Sequence, residues 1–124
     1  MDKHQWFYEA KFGMMIHWGL YSLLAGEWKN RRMSYIGEWI QSKYRIPNTQ
    51  YHRLIQAMNP ILFDADEWVS VAQDAGMKYL VFTAKHHEGF AMYHSLANPF
   101  NIVDAEPFGR DVVEELANAC TKKT

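Results

Sequence analysis

Three histidines stand where short apolar runs give way to polar sequence, and no other residues in the chain are better placed for chemistry. His17 opens His17-Trp18-Gly19 at the end of one run, and His86 and His87 lie in Lys85-His86-His87-Glu88-Gly89-Phe90 at the end of another. A neutral imidazole donates one hydrogen bond and accepts one, so residues of this type are candidates for ligand contact. Metal binding is the rival use. Adjacent side chains diverge, however, and neither a cysteine pair nor a spaced His-Glu partner accompanies His86-His87, so no metal and no cofactor is expected. A lone histidine is more often a packed or solvated residue than a ligand, so the case rests on the elements that carry these three.

Phe12 to His17 is a short apolar run that suits a buried strand. Tyr21 to Arg32 shows no period and contains Gly26 and the basic cluster Lys29, Arg31 and Arg32; it reads as a solvated loop. From Ser34, a candidate N-cap, Ile36, Trp39, Ile40 and Tyr44 fall at helical spacing until Pro47 breaks the pattern. Tyr51, Leu54, Ile55 and Met58 repeat it, with Asn48 or Thr49 as cap and Asn59-Pro60 as stop. Asp64 then caps a helix with Glu67 three residues on and Phe63 and Trp68 as a hydrophobic staple. That helix is expected to turn Trp68, Val71, Ala72 and Ala75 inward and to end at Gly76.

Met77 to Ala84 is a β-rich apolar run, as in a parallel strand covered on both faces. His86 to Gly109 reads as a long loop, and Asp111 opens a last helix with Val112, Val113, Leu116 and Cys120 inward. The order is strand, inserted helices, helix, strand, loop, helix, which makes an α/β chain of two βα units with parallel strands. Both histidine segments then sit at the carboxyl ends of strands, the face that carries active sites in a (βα)₈ barrel. Two strands alone leave an apolar face and unpaired edges open. More chain or more copies are needed to cover them.

Composition narrows the alternatives. The 124 residues carry thirteen basic and fourteen acidic side chains, interspersed, with no basic stripe for nucleic acid and no polybasic face for a membrane. Cys120 is the single cysteine, which excludes an internal disulfide; it reads as a small apolar helix residue. The start lacks the apolar core of a secretory signal and no run is long enough to span a bilayer, so the sequence as written is expected to be soluble and cytoplasmic, or exported if a signal lies upstream. Seven Phe, seven Tyr and five Trp are many for this length. Most must serve a core, though flat rings also stack on the C–H face of a pyranose. Trp18, Trp28 and Trp68 read as packing.

The segments KFGMMIHWGLYS (Lys11 to Ser22), YIGEWI (Tyr35 to Ile40), FDADEWVSVAQDAGMKYLVFTAKHHEGF (Phe63 to Phe90) and NIVDAEPFGRDVVEEL (Asn101 to Leu116) carry a specific likeness. With them the chain resembles the amino-terminal part of the catalytic barrel of the retaining α-L-fucosidases, glycoside hydrolase family 29. The resemblance implies a partial (β/α)₈ TIM barrel over residues 1–124, namely its first two βα units with extra helices inserted between strand 1 and helix 1. It implies that His17, His86 and His87 hydrogen-bond fucose hydroxyls, that Glu38 is a carboxylate contacting the sugar, and that Trp39 lines the pocket. Glu27, also in a Gly-Glu-Trp setting, is the rival to Glu38. Three imidazoles and a carboxylate suit the vicinal hydroxyls of a deoxy sugar. Its methyl group wants an apolar wall, from Trp39 or Phe90, and Glu88 reads as loop support rather than as a general acid.

The same resemblance places the family's nucleophile and acid/base on later strands, so no catalytic residue is assigned within the chain and a fucosylated carbohydrate is the expected partner. Retaining glycosidases need two carboxyl groups ~5 Å apart, and a whole barrel needs ~250 residues. The chain is therefore expected to be the front portion of a longer fucosidase that hydrolyses terminal α-L-fucosyl residues. The alternatives are copies that associate through open strand edges to complete a barrel, and a fucose-binding module without chemistry.

Overall fold

The two apolar runs pair side by side and parallel, as their composition predicts, but only their centres are regular strand. A computed structural model describes residues 2–105 and 107–123; Met1, Glu106 (within the Asn101 to Leu116 segment) and Thr124 lie outside it. Strand β1 is Met14–Ile16 and its partner Leu80–Phe82, with Met14, Met15 and Ile16 in register with Leu80, Val81 and Phe82. Ladder bonds continue past both ends, from Lys78 N to Phe12 O (2.8 Å) and from Thr83 N to Ile16 O (3.0 Å).

Between these strands the chain departs from the predicted loop. Leu20–Leu24 is a 3₁₀ turn, and Glu27–Trp28 (β2) and Arg31–Arg32 (β3) form an antiparallel hairpin. The hairpin turns on Lys29 and Asn30, both at positive φ (48° and 60°), the arrangement a two-residue loop needs to match strand twist. The second parallel strand, Leu80–Phe82, is therefore β4. The basic side chains of the hairpin are exposed, with Arg31 stacked over Tyr44 at 4.7 Å. A short amino-terminal helix α1 (Gln5–Ala10), not signalled by its sequence, sets Trp6 and Phe7 against Tyr79.

The inserted helices are shorter than predicted. A 3₁₀ turn over Gly37–Trp39 runs into α2 (Ile40–Lys43), and α3 (Asn48–Tyr51) runs into a 3₁₀ segment His52–Ala57. Neither uses the expected cap. Ile36 and Pro47 hold those positions without a side-chain bond, and the Asn48 side chain accepts instead from Gln41 Nε2 at 2.8 Å.

Helix α4 (Ala65–Asp74) follows its local signals closely. Asp64 Oδ1 accepts from Glu67 N at 3.0 Å, and the Phe63 and Trp68 rings meet edge to face at 4.9 Å, as a staple requires. At the other end Met77 N reaches Ala72 O and Gly76 N reaches Gln73 O, both at 2.9 Å, with Gly76 at φ 82°. That pair of bonds is the Schellman closure, and its left-handed position favours glycine. Its buried face is Ala65, Val69 and Ala72; Val71 (57% exposed) and Ala75, both expected inward, are exposed, and the helix packs against α5 (Val112–Lys122). In α5 the buried positions are Val112, Leu116 and Ala119, with Val113 and Cys120 partly covered beside them.

Among the described residues, the long segment after β4 lacks helices and regular strands but is not a surface loop. Phe90, Ala91, Met92 and Ile102 are in the core with Leu20, Ile40, Tyr51 and Met58. Asn101 is fully buried among them with all four of its side-chain bonds made. Nδ2 donates to Asn98 O (2.9 Å) and Asp104 Oδ2 (2.7 Å), and Oδ1 accepts from Val103 N (3.0 Å) and Asp104 N (2.9 Å). A buried amide so paired costs little and fixes the turn. No helix among the described residues is long and apolar enough to cross a membrane.

Candidate functional site

At the carboxyl ends of β1 and β4 the imidazoles of the two segments converge. The His17 and His86 ring centroids lie 5.6 Å apart, those of His86 and His87 4.4 Å, and Trp39 stacks on His87 at 3.6 Å with 34° between planes. Trp39 arrives from the 3₁₀ turn Gly37–Trp39. Glu38, in the same turn, is close enough for its charge to act on His86 and on Tyr21. All five sequence-derived positions thus share one end of the parallel pair. Glu27 instead sits on the hairpin as the register partner of Arg32, exposed.

His86 is half-buried, and its Nδ1 is buried with no hydrogen-bond partner among the described residues. Protonation would place a further N–H donor in that unsatisfied setting. Burial lowers its pKa from 6.5, His87 and His17 lower it further, and Glu38 opposes them. The ring is therefore held neutral, able to donate from one nitrogen and accept at the other.

The framework around these rings uses groups that local patterns did not mark. Thr83 Oγ1 accepts from Trp18 N at 3.0 Å, meets the Tyr21 hydroxyl at 3.2 Å and donates to Ile16 O at 3.4 Å, stitching the two strand ends together. Glu88 Oε1 accepts from Leu20 N at 2.8 Å; Oε2 accepts from Tyr21 N at 3.2 Å and from the Tyr51 hydroxyl. Burial pushes the Glu88 carboxyl above the usual carboxylate range against the opposing pull of these three bonds, and pushes the Tyr51 and Tyr21 hydroxyls up as well. Tyr51 gave one sequence signal. A tyrosine on a predicted core face needs a partner for its hydroxyl.

One predicted role is corrected. Phe90 is 1% exposed and packs edge to face on Phe100 at 5.1 Å, so it offers no wall to a ligand; Trp39, stacked on His87, remains the candidate for that role. Trp18, Trp28 and Trp68 pack against the core as expected, Trp18 lying 5.4 Å from Phe63 and 5.2 Å from Trp68.

Comparison with known proteins places the chain in a family. The family profile described as Alpha-L-fucosidase matches residues 1–124. The plasma α-L-fucosidase of Rattus norvegicus is 36% identical over 128 residues, covering 96% of this chain and 27% of that protein. The plasma enzyme of Homo sapiens is 35% identical with the same coverage. Among solved structures, the α-L-fucosidase AlfC of Lactobacillus casei in complex with its α-L-fucose product superposes with a TM-score of 0.95 at 56% identity, over 99% of this chain and 38% of that one. The chain thus spans about a quarter of the length of the curated relatives it matches (27%). With the family profile matched from end to end, the chain belongs to the α-L-fucosidase family.

Proposed function

We propose that this chain forms the fucose-recognition side of an α-L-fucosidase active site, built on the first two βα units of a (β/α)₈ barrel, and that it acts in retaining hydrolysis of terminal α-L-fucosyl residues. The observation that carries the reading is the convergence of His17, His86 and His87 with Trp39 and Glu38 at the carboxyl ends of two parallel strands. The imidazoles and one carboxylate supply the donors and acceptors for vicinal hydroxyls, and the Trp39 ring supplies an apolar surface for the sugar's methyl group. A related fucosidase has been solved with α-L-fucose bound and another with an iminocyclitol inhibitor, which supports a fucose-sized ligand here.

The two reacting carboxyls are proposed to come from outside these 124 residues. Among the described residues, the carboxylates at the imidazole cluster are Glu38 and Glu88, and both oxygens of Glu88 are already engaged by Leu20, Tyr21 and Tyr51. That leaves one where the retaining mechanism needs a facing pair. The test is titration of the 124-residue chain with L-fucose by calorimetry, beside an aryl α-L-fucoside hydrolysis assay of this chain and of a form lengthened to its relatives' span. Binding by the chain, with turnover confined to the longer form, is the expected result; absence of binding, or binding unaffected by His17→Ala and His86→Ala, overturns it. A second reading, that copies associate to complete the barrel, is favoured by the exposed Met15 and Val81 on one face of the strand pair. Turnover by an oligomer of the short chain, with the mass measured by light scattering, would select it.

A further inference from the structure

We propose that Glu88 is a positioning residue for the imidazole cluster: its carboxylate clasps the segment that follows His17 to the segment that carries His86 and His87, and so sets the spacing of the rings. This rests on the recognition reading above for its functional consequence but not for its geometry. Oε1 takes the Leu20 N–H and Oε2 the Tyr21 N–H, both belonging to the turn that begins three residues after His17. Glu88 itself lies two residues after His86 and one after His87. One carboxylate therefore spans the two rims, and the Tyr51 hydroxyl, from α3, fixes Oε2 from a third direction. On the strand side, Thr83 holds the same two segments through Trp18 N, the Tyr21 hydroxyl and Ile16 O. The His86 ring, 5.6 Å from His17 and 5.5 Å from Tyr21, lies between segments held at both levels.

Gly19 supplies the independent observation. Its backbone is extended (φ −173°), so conformation does not demand glycine there. Space does. A Cβ at position 19 would come within 2.3 Å of Glu88 Oε1 and 2.7 Å of Tyr21 Cε1. The sequence thus leaves room where a side chain would displace the clasping oxygen, and two substitutions far apart in sequence must produce one effect.

The experiment uses the 124-residue chain with ¹⁵N-labelled histidines, recording contacts between ring protons of His17 and His86 by NMR, without and with L-fucose. Glu88→Gln keeps the volume but turns an N–H₂ toward backbone donors; Gly19→Ala dislodges the oxygen sterically. Both are expected to abolish the His17–His86 contact and to weaken L-fucose binding by about tenfold, the loss of roughly one charge-assisted hydrogen bond's worth of order, while the amide shifts of α4 and α5 stay in place. Tyr51→Phe, which removes one donor and keeps the buried ring, is expected to weaken binding by about threefold in the same direction. An unchanged ring contact in Glu88→Gln overturns the proposal. If that variant loses its dispersed amide spectrum, Tyr51→Phe decides alone, and wild-type ring contacts and affinity in it overturn the proposal. Failure of the wild-type chain to bind L-fucose counts against the recognition reading only, since the ring contact tests Glu88 without ligand.

Discussion

At the scale of single residues, two partly buried titratable groups at the site pull stability in opposite directions with pH. His86 has its pKa lowered, chiefly by burial, so the folded state prefers the neutral ring. Its contribution is present above the unfolded value of 6.5 and is lost as pH falls through the lowered folded value. Urea unfolding of wild type and His86→Asn between about pH 7 and pH 5 should show the wild type losing stability more steeply on acidification. Equal slopes would mean that the ring is not burdened in the fold. Glu88 has its pKa raised by burial, so the sign reverses: its contribution is present below the unfolded value of 4.5 and is lost as pH rises through the raised folded value. Glu88→Gln should therefore flatten the stability profile just above the ordinary carboxylate range, whatever it does to the absolute level. A parallel profile in that variant would show that the carboxyl titrates as in the unfolded chain.

At the scale of elements, the two long helices differ in what their capping aspartates do. Asp64 makes one capping bond, to Glu67 N, whereas Asp111 accepts from Glu114 N (2.9 Å) through one oxygen and from His94 N (2.8 Å) through the other. Asp64→Ala should cost about 1 kcal/mol and Asp111→Ala about 2 kcal/mol, because the second also strands the His94 amide. Denaturant midpoints that place the two equal would contradict this ordering. Both caps were legible in the sequence because their signals are local: an aspartate, a glutamate three residues on, and an apolar run. So were the two strands and the histidines at their ends. What could not be read was made by tertiary contact. The 3₁₀ turn at Leu20–Leu24 carries Leu20 and Tyr21 into the core that holds Phe90 and Ile102, and Tyr51 joins that core from the end of α3, just before the 3₁₀ segment His52–Ala57. The Tyr51–Glu88 bond joins positions 37 residues apart, a pairing no periodicity encodes. Phe90 looked available for a ligand because the run around it is polar, yet isolated bridges from Ala91 to Lys85 and to Asn101 draw it inside.

At the scale of the whole molecule, the parallel pair is covered unevenly. Leu80 and Phe82 pack against the core, while Met15 is 62% and Val81 41% exposed on the opposite face. Within this chain the Met15 and Val81 side chains gain little from folding, since stabilisation follows apolar area taken from water. The double substitution Met15→Ser, Val81→Thr should therefore leave the stability of the isolated 124-residue chain within about 0.5 kcal/mol of wild type, the usual range for exposed sites. Thr retains the β-branched shape at position 81, so strand propensity is little disturbed. In a form of the protein where further strands or further copies lie over this face, the same pair of changes should instead cost about 2 to 4 kcal/mol, as for side chains deleted from a packed core. Chemical unfolding of both forms side by side measures the difference directly. A large loss in the short chain at low concentration would show that Met15 and Val81 are already buried there, and a loss that grows with protein concentration would identify a second copy as the cover. If neither form is affected, the face stays open in the working protein, and the barrel reading of the strand pair fails with it.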